Sequence, residues 1–238
     1  MTSSIQNPKS KIQNRPVSAL LFDFGGTLDG PGVAWRERFF RLWQEEEEVP
    51  RERFDRAFFA ADDALEGSVP ASLPFAETVG RLARGIAAGL RTGSEPVPGR
   101  VAIRFCADSL ESLSRSAALL QRLAPRYKLG IVSNFYGNLA AVCREVGLDD
   151  FLSAKVDSAV IGCRKPDRAI FDAALAQISA GPAESVFVGD SVERDMAGAR
   201  GVGMRHILLA GETPDGRRSC CPEDPVIRRL DELAEIFL

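Results

Sequence analysis

A chain of 238 residues, 45% hydrophobic and 26% charged, can bury a sizeable core in one or two domains. A formal net charge of -3 gives no global positive field for nucleic acid, and no apolar run approaches membrane-spanning length. The single histidine, His206, excludes a His-based triad or a multi-His metal site, and five cysteines without CxxC spacing predict free thiols in a reducing cytosol.

Residues 1–16 are polar and lack the apolar segment of a signal peptide, so a disordered tail is expected. A strand follows at once. Ala19, Leu20, Leu21 and Phe22 form a continuous apolar run, the pattern of a strand covered on both faces. Asp23 stands at its carboxyl end, the edge where open parallel sheets bind ligands. Gly25 and Gly26 permit a sharp turn and the approach of an oxyanion to backbone N–H groups, with Thr27 next in line. Asp23 is placed as a nucleophile or metal ligand; an Asx-turn is the alternative.

Gly30, Pro31 and Gly32 read as a hinge. From there to about residue 109 the pattern is helical. Trp35, Phe39, Leu42 and Trp43 share one face of a first helix. Phe54, Ala57, Phe58, Ala61 and Leu65 share a face of a second, and Phe75, Val79, Leu82, Ile86 and Leu90 of a third. Residues 93–99 read as a linker, followed by a weaker helix through Val101 and Phe105. Residues 30–109 are thus expected to be a helical domain inserted into a core formed by 17–29 and 110–238. In that core a helix with Leu113, Ala117, Leu120 and Ala124 leads to a strand at 128–133. A helix at 139–146, a strand near 156–161, a helix at 166–178, a strand at 186–188, a helix around 196–200 and a strand at 205–209 follow. An amphipathic helix through Val226, Leu230, Leu233 and Phe237 closes the chain. Strands alternating with helices predict an α/β, Rossmann-like, doubly wound parallel sheet.

Four short stretches fall at strand ends: Asp23 to Thr27, Ser133-Asn134 after an apolar strand, Arg164-Lys165-Pro166-Asp167 opening a helix, and Gly189-Asp190-Ser191 with Asp195 five residues after Asp190. Each alone reads as a turn, a cap or a surface lysine. Together on one sheet edge they suit phosphoryl transfer to a carboxylate. Two carboxylates can hold Mg²⁺, a lysine can neutralise the transferring group, and a hydroxyl with loop N–H groups can orient it.

The ordered set resembles the motifs of the haloacid dehalogenase superfamily of hydrolases, mostly phosphatases, and the inserted helices resemble that family's helical cap. The resemblance implies Asp23 as nucleophile, Ser133 as phosphate-binding hydroxyl and Lys165 as the charge-stabilising lysine. It implies Asn134, Gly26 and Thr27 as lining the substrate pocket. Asp23, the Gly25 carbonyl, Asp190 and Asp195 would hold Mg²⁺, Asp195 alternatively pairing with the lysine. The family's phosphatases usually carry a second aspartate, a general acid and base, at the position of Gly25. Its loss favours substrates with good leaving groups, or a substitute supplied from elsewhere; bound water, an acid from the cap and Asp29, past the turn, are the candidates. The implied function is a cytoplasmic, Mg²⁺-dependent hydrolase of a small phosphorylated metabolite that binds neither nucleic acid nor membrane. The alternatives are a hydrolytic 2-haloacid-type dehalogenase and a phosphate- and Mg²⁺-binding regulatory protein of low activity. Trp35 and Arg36, just past the first hinge, are candidates to touch substrate, the start of an ordinary amphipathic helix being the alternative, with closure of the cap about residues 30–32 and 95–99.

Overall fold

A computed structural model describes residues 16–91, 96–211 and 224–238 of the chain; the tail at 1–15, the linker at 92–95 and Cys220 and Cys221 lie outside the described residues. Six parallel strands form one sheet: β1 (Ala19–Phe22), β2 (Lys128–Ser133), β3 (Leu152–Asp157), β4 (Ser185–Gly189), β5 (Arg205–Leu209) and β6 (Val226–Ile227), in the order β3-β2-β1-β4-β5-β6. β1 is buried along its whole length. Leu20 and Phe22 enter one apolar core, Ala19 and Leu21 a second, because successive strand side chains point to opposite faces. This two-sided burial explains the unbroken apolar run.

The sheet winds outward in both directions from β1. Crevices for ligands open at such a switch point, beyond the strands' carboxyl ends. Register sharpens the placement: Phe22 lies opposite Ile131 of β2 and Val188 of β4. Asp23, Ser133 and Asp190, one or two residues further on, therefore emerge on one edge.

Between β1 and β2 lie four helices: α1 (Trp35–Glu46), α2 (Arg51–Leu65), α3 (Phe75–Leu90) and α4 (Pro96–Leu123). The apolar faces expected of α1, α2 and α3 are buried residue for residue. Each large side chain so buried contributes roughly 1.5–3 kcal/mol. α4 differs from expectation. It is one helix of 28 residues that passes unbroken through the boundary drawn between 109 and 110, and residues 96–99 are its first turn rather than a linker. Its buried face runs Val97, Val101, Phe105, Ser109, Leu113, Ser116, Leu120. The two serines interrupt the apolar stripe and hide its continuity. They tolerate burial because Ser109 Oγ accepts from Arg38 Nη2 at 2.7 Å and Ser116 Oγ donates to the Leu28 carbonyl at 2.7 Å. Gly32, expected in a hinge, is closely packed: a Cβ there would sit 2.6 Å from Gly211 N.

The remaining helices are α5 (Leu139–Glu145), α6 (Ser158–Ile161), α7 (Arg168–Ile178), α8 (Ala197–Gly201) and α9 (Leu233–Phe237). Two expectations are corrected. The strand placed at 156–161 lies earlier, at 152–157. The Asp157 side chain accepts from Ala159 N at 3.0 Å and starts the single turn α6, leaving Val160 exposed. The closing helix begins only at Leu233; Val226 belongs to β6, a strand of two residues, too short to reveal its period. Among the described residues no helix is long and apolar enough to cross a membrane.

Candidate active site

Asp23 follows directly on β1, its N–H donating to the Val188 carbonyl at 2.9 Å. The chain then makes one wide turn through residues 24–28 in which Gly26 adopts φ +90°. A Cβ at Gly26 would lie 2.7 Å from Asp190 Oδ2 and 2.9 Å from the Val33 carbonyl, so both the backbone and the close approach of Asp190 require glycine. Ser133 Oγ donates to Asp23 Oδ1 at 3.1 Å. Lys165 Nζ lies 2.6 Å from Asp23 Oδ1 and forms an ion pair with Asp195 Oδ1 at 2.7 Å. Asn134 fixes the lysine's backbone from both sides: its Oδ1 accepts from Lys165 N at 2.7 Å and its Nδ2 donates to the Lys165 carbonyl at 3.1 Å. Asp195 is itself oriented by the Ser191 N–H at 3.0 Å. The four motifs thus meet, and every charged member of the cluster is nearly fully buried.

Carboxylate oxygens of Asp23, Asp190 and Asp195 lie within 4.8 Å of one another. Burial would depress the Lys165 ammonium, but Asp195 and Asp23 outweigh it and hold its pKa above the ordinary value. One ammonium cannot balance three carboxylates. Asp190 carries the imbalance: burial, then repulsion from Asp23 and Asp195, push its pKa well above the usual carboxylate range, and its Oδ1 is buried with no hydrogen-bond partner. An all-oxygen cluster with an orphaned anionic acceptor fits a hard divalent cation such as Mg²⁺.

Other expected residues lie elsewhere. The Gly26 N–H is not free for a ligand, because it donates to Asp29 Oδ1 at 2.6 Å. Thr27 is buried behind the turn, its hydroxyl unpartnered, and neither residue lines the cavity over the site. Asp29 is fully buried and does not face the cavity. Its carboxylate accepts from Trp35 Nε1 at 2.7 Å and Ser109 Oγ at 3.3 Å and pairs with Arg38 at 3.2 Å. Burial raises its pKa, opposed mainly by Arg38. It holds the turn to α1 and α4.

The cavity measures about 620 Å³. Asp23, Gly25, Ser133, Lys165 and Asp190 form its sheet-edge side, and α2 lends Phe58, Phe59 and Asp62. Trp35 and Arg36 also line it. Arg36 pairs with Asp55 at 3.0 Å and Arg164 with Glu66 at 2.9 Å, whereas Arg194 has no carboxylate partner among the described residues. Asp62, Tyr136 and Arg194 also line the cavity, and no motif in the sequence marks them. Tyr136 OH donates to Asp62 Oδ1 at 2.5 Å. Asp62-Asp63 near the end of an amphipathic helix reads as an ordinary solvated pair; nothing local marks it. Among the described residues the cysteines Cys106, Cys143 and Cys163 are free thiols, and burial pushes Cys143 up to about 12 and Cys106 up to about 11.

A family model described as haloacid dehalogenase-like hydrolase matches residues 17–203. The haloacid dehalogenase-like hydrolase domain-containing protein 3 of Mus musculus is 35% identical over 108 residues, covering 44% of this chain and 43% of that relative. The glyceraldehyde 3-phosphate phosphatase of Methanothermobacter thermautotrophicus is 29% identical over 128 residues, 51% of this chain and 56% of that protein. The chain spans about half the length of these curated relatives, or less. A solved dehalogenase structure superposes with a TM-score of 0.63 at 18% identity, covering 93% of this chain and 97% of that one. That likeness speaks for the fold alone.

Proposed function

Since the chain belongs to the haloacid dehalogenase-like hydrolase family, we propose that it hydrolyses the phosphate ester of a small metabolite, using Asp23 as the nucleophile. The observation that carries this reading is the buried lysine bridging two carboxylates beside the unpartnered oxygen of Asp190. A carboxylate held 2.6 Å from an ammonium is oriented for attack, and the same ammonium meets the charge that builds on the phosphoryl oxygens. Ser133 Oγ, now donating to Asp23, can turn to a phosphoryl oxygen. Asn134 keeps Lys165 in position through its backbone. Asp23, Asp190 and the Gly25 carbonyl, with Asp195 behind them, would hold Mg²⁺, which when bound supplies positive charge against the phosphoryl oxygens. Asp195 also serves as the counter-ion of Lys165.

Residues 30–109 act as a cap that covers the site and carries the choice of substrate; α4 joins them to the core as one continuous helix. The reading includes a reducing, cytoplasmic setting and no nucleic-acid partner. Hydrolytic dehalogenation needs no metal and leaves the Asp190 oxygen without a task, so phosphate-ester hydrolysis is the better account. The test is steady-state hydrolysis of a panel of phosphate esters with and without Mg²⁺. Mg²⁺-dependent turnover that disappears in Asp23→Asn is expected. Turnover that persists in that variant, or none by the native protein on any ester, overturns the reading.

A further inference from the structure

We propose that Asp62, on inserted helix α2, is the general acid that protonates the leaving group and then the base that activates water, oriented by Tyr136. The proposal rests on the phosphohydrolase reading above. Expulsion of an alkoxide needs a proton at the leaving oxygen. Gly25 has no side chain to supply it, and the Trp35 indole lies where one would project, 3.3 Å from a Cβ built at Gly25. Asp29 is sealed away from the cavity.

The titratable proton donors on the cavity wall are few, and the Tyr136 phenol among them already donates its proton to Asp62 Oδ1. Asp23 is the nucleophile, Lys165 is bound to Asp23 and Asp195, and Asp190 faces the cation site. Glu193 stands exposed at the rim. Asp62 is half-buried on the wall that α2 contributes. In-line attack by Asp23 from the sheet edge drives the leaving oxygen away from that edge, toward the inserted helices. The phenol of Tyr136, from the loop after β2, donates to Oδ1 at 2.5 Å. That bond fixes the carboxyl group and leaves Oδ2 to carry a proton. Burial holds the proton on Asp62 above the ordinary range, reinforced by Asp63 and opposed by the Tyr136 bond, Arg164 and Arg194.

In the first step a bond forms between Asp23 Oδ and phosphorus as the bond to the leaving oxygen breaks; its electron pair stays on that oxygen, which takes the proton of Asp62. In the second, water attacks the aspartyl phosphate and gives its proton to the Asp62 carboxylate. The electron pair returns to Asp23, phosphate leaves and Asp62 is protonated again.

The test is rapid-mixing kinetics of the Mg²⁺-loaded protein on 2,4-dinitrophenyl phosphate, whose leaving group needs no proton, and on an alkyl phosphate. Asp62→Asn keeps the acceptor for Tyr136 and removes only the proton. It should retain a stoichiometric dinitrophenolate burst at near the native rate, followed by slowed turnover, and lose about 10²–10⁴-fold on the alkyl ester in the first step. In Tyr136→Phe, loss of the bond that lowers the Asp62 pKa should move the basic limb of that step to higher pH. Equal loss on both substrates means that Asp62 merely latches α2 to the core and overturns the proposal, as does an unmoved limb in Tyr136→Phe. Failure of the native protein on both esters would sink the functional reading instead.

Discussion

Gly25 and Trp35 are best understood together. The backbone at Gly25, φ -72° and ψ 110°, suits any residue. The obstacle to a side chain is the indole, 3.3–3.4 Å from a Cβ built there. That ring cannot give way easily: its Nε1 donates to the buried Asp29, and Phe39, Phe75, Phe105 and Phe135 surround it at centroid distances of 5.1–6.4 Å. The family's usual second aspartate cannot therefore be restored by one substitution. Gly25→Asp should lower the unfolding free energy by about 1–3 kcal/mol, the usual effect of overpacking, and give no rate gain on poor leaving groups. It also adds a fourth carboxylate to a cluster already short of positive charge. Urea unfolding and steady-state kinetics of the variant check both points; an unchanged midpoint with faster alkyl-ester hydrolysis would contradict the argument.

The position of α2 decides where Asp62 sits, and a seam of small residues sets that position. Gly85 and Gly89 of α3 face Ala61 and Ala57 of α2; a Cβ at Gly89 would lie 2.9 Å from Ala57 Cβ and 3.1 Å from its Cα. Helix propensity favours alanine over glycine by roughly 1 kcal/mol. The clash involves backbone as well as side chain, and overpacking costs about 1–3 kcal/mol. Gly89→Ala should thus destabilise by up to about 2 kcal/mol, and it should slow alkyl-ester hydrolysis by displacing Asp62, one residue beyond Ala61. Thermal unfolding together with alkyl and aryl rates tests this; a stabilised variant would mean that the helices separate freely. Elements of this kind were legible from sequence because apolar period alone defines α1, α2 and α3, and a run buried on both faces defines β1. α4 was not, since its two buried serines draw their meaning from Arg38, Asp29 and the Leu28 carbonyl, residues far away in the chain. The same holds at the site. Asp23, Ser133, Lys165, Asp190 and Asp195 stand at strand ends in a readable order, whereas the sealing of Asp29 and the pairing of Asp62 with Tyr136 exist only once the insertion folds back on the core.

At the scale of the whole molecule, the doubly wound sheet concentrates negative charge at its own switch point. Asp23 ends β1, Asp190 follows β4 and Asp195 follows the next turn, and all three are withdrawn from water. The metal-free fold therefore carries a repulsion that the unfolded chain lacks. The sign of the pH dependence follows from Asp190. Its folded pKa is raised above the ordinary 3.8, so the folded state binds the proton more tightly than the unfolded state. The associated stability is complete below 3.8 and is lost as pH rises through the folded pKa. Mg²⁺ held by this cluster, as proposed, would act in the opposite sense, because it would compete with that proton and bind only the folded cluster. Cation present at 100 times its dissociation constant should stabilise the fold by about 2.7 kcal/mol. Thermal unfolding is then expected to show a Tm that falls with rising pH in chelator, a Mg²⁺-induced increase that grows over the same pH range, and, in Asp190→Asn, loss of the Mg²⁺-induced increase and a shallower pH slope, the remaining slope coming from the other buried carboxylates whose pKa is raised, Asp29, Asp62, Asp157 and Asp195. A Mg²⁺ response independent of pH, or undiminished in Asp190→Asn, would place the cation elsewhere and leave the three buried carboxylates without their counter-charge.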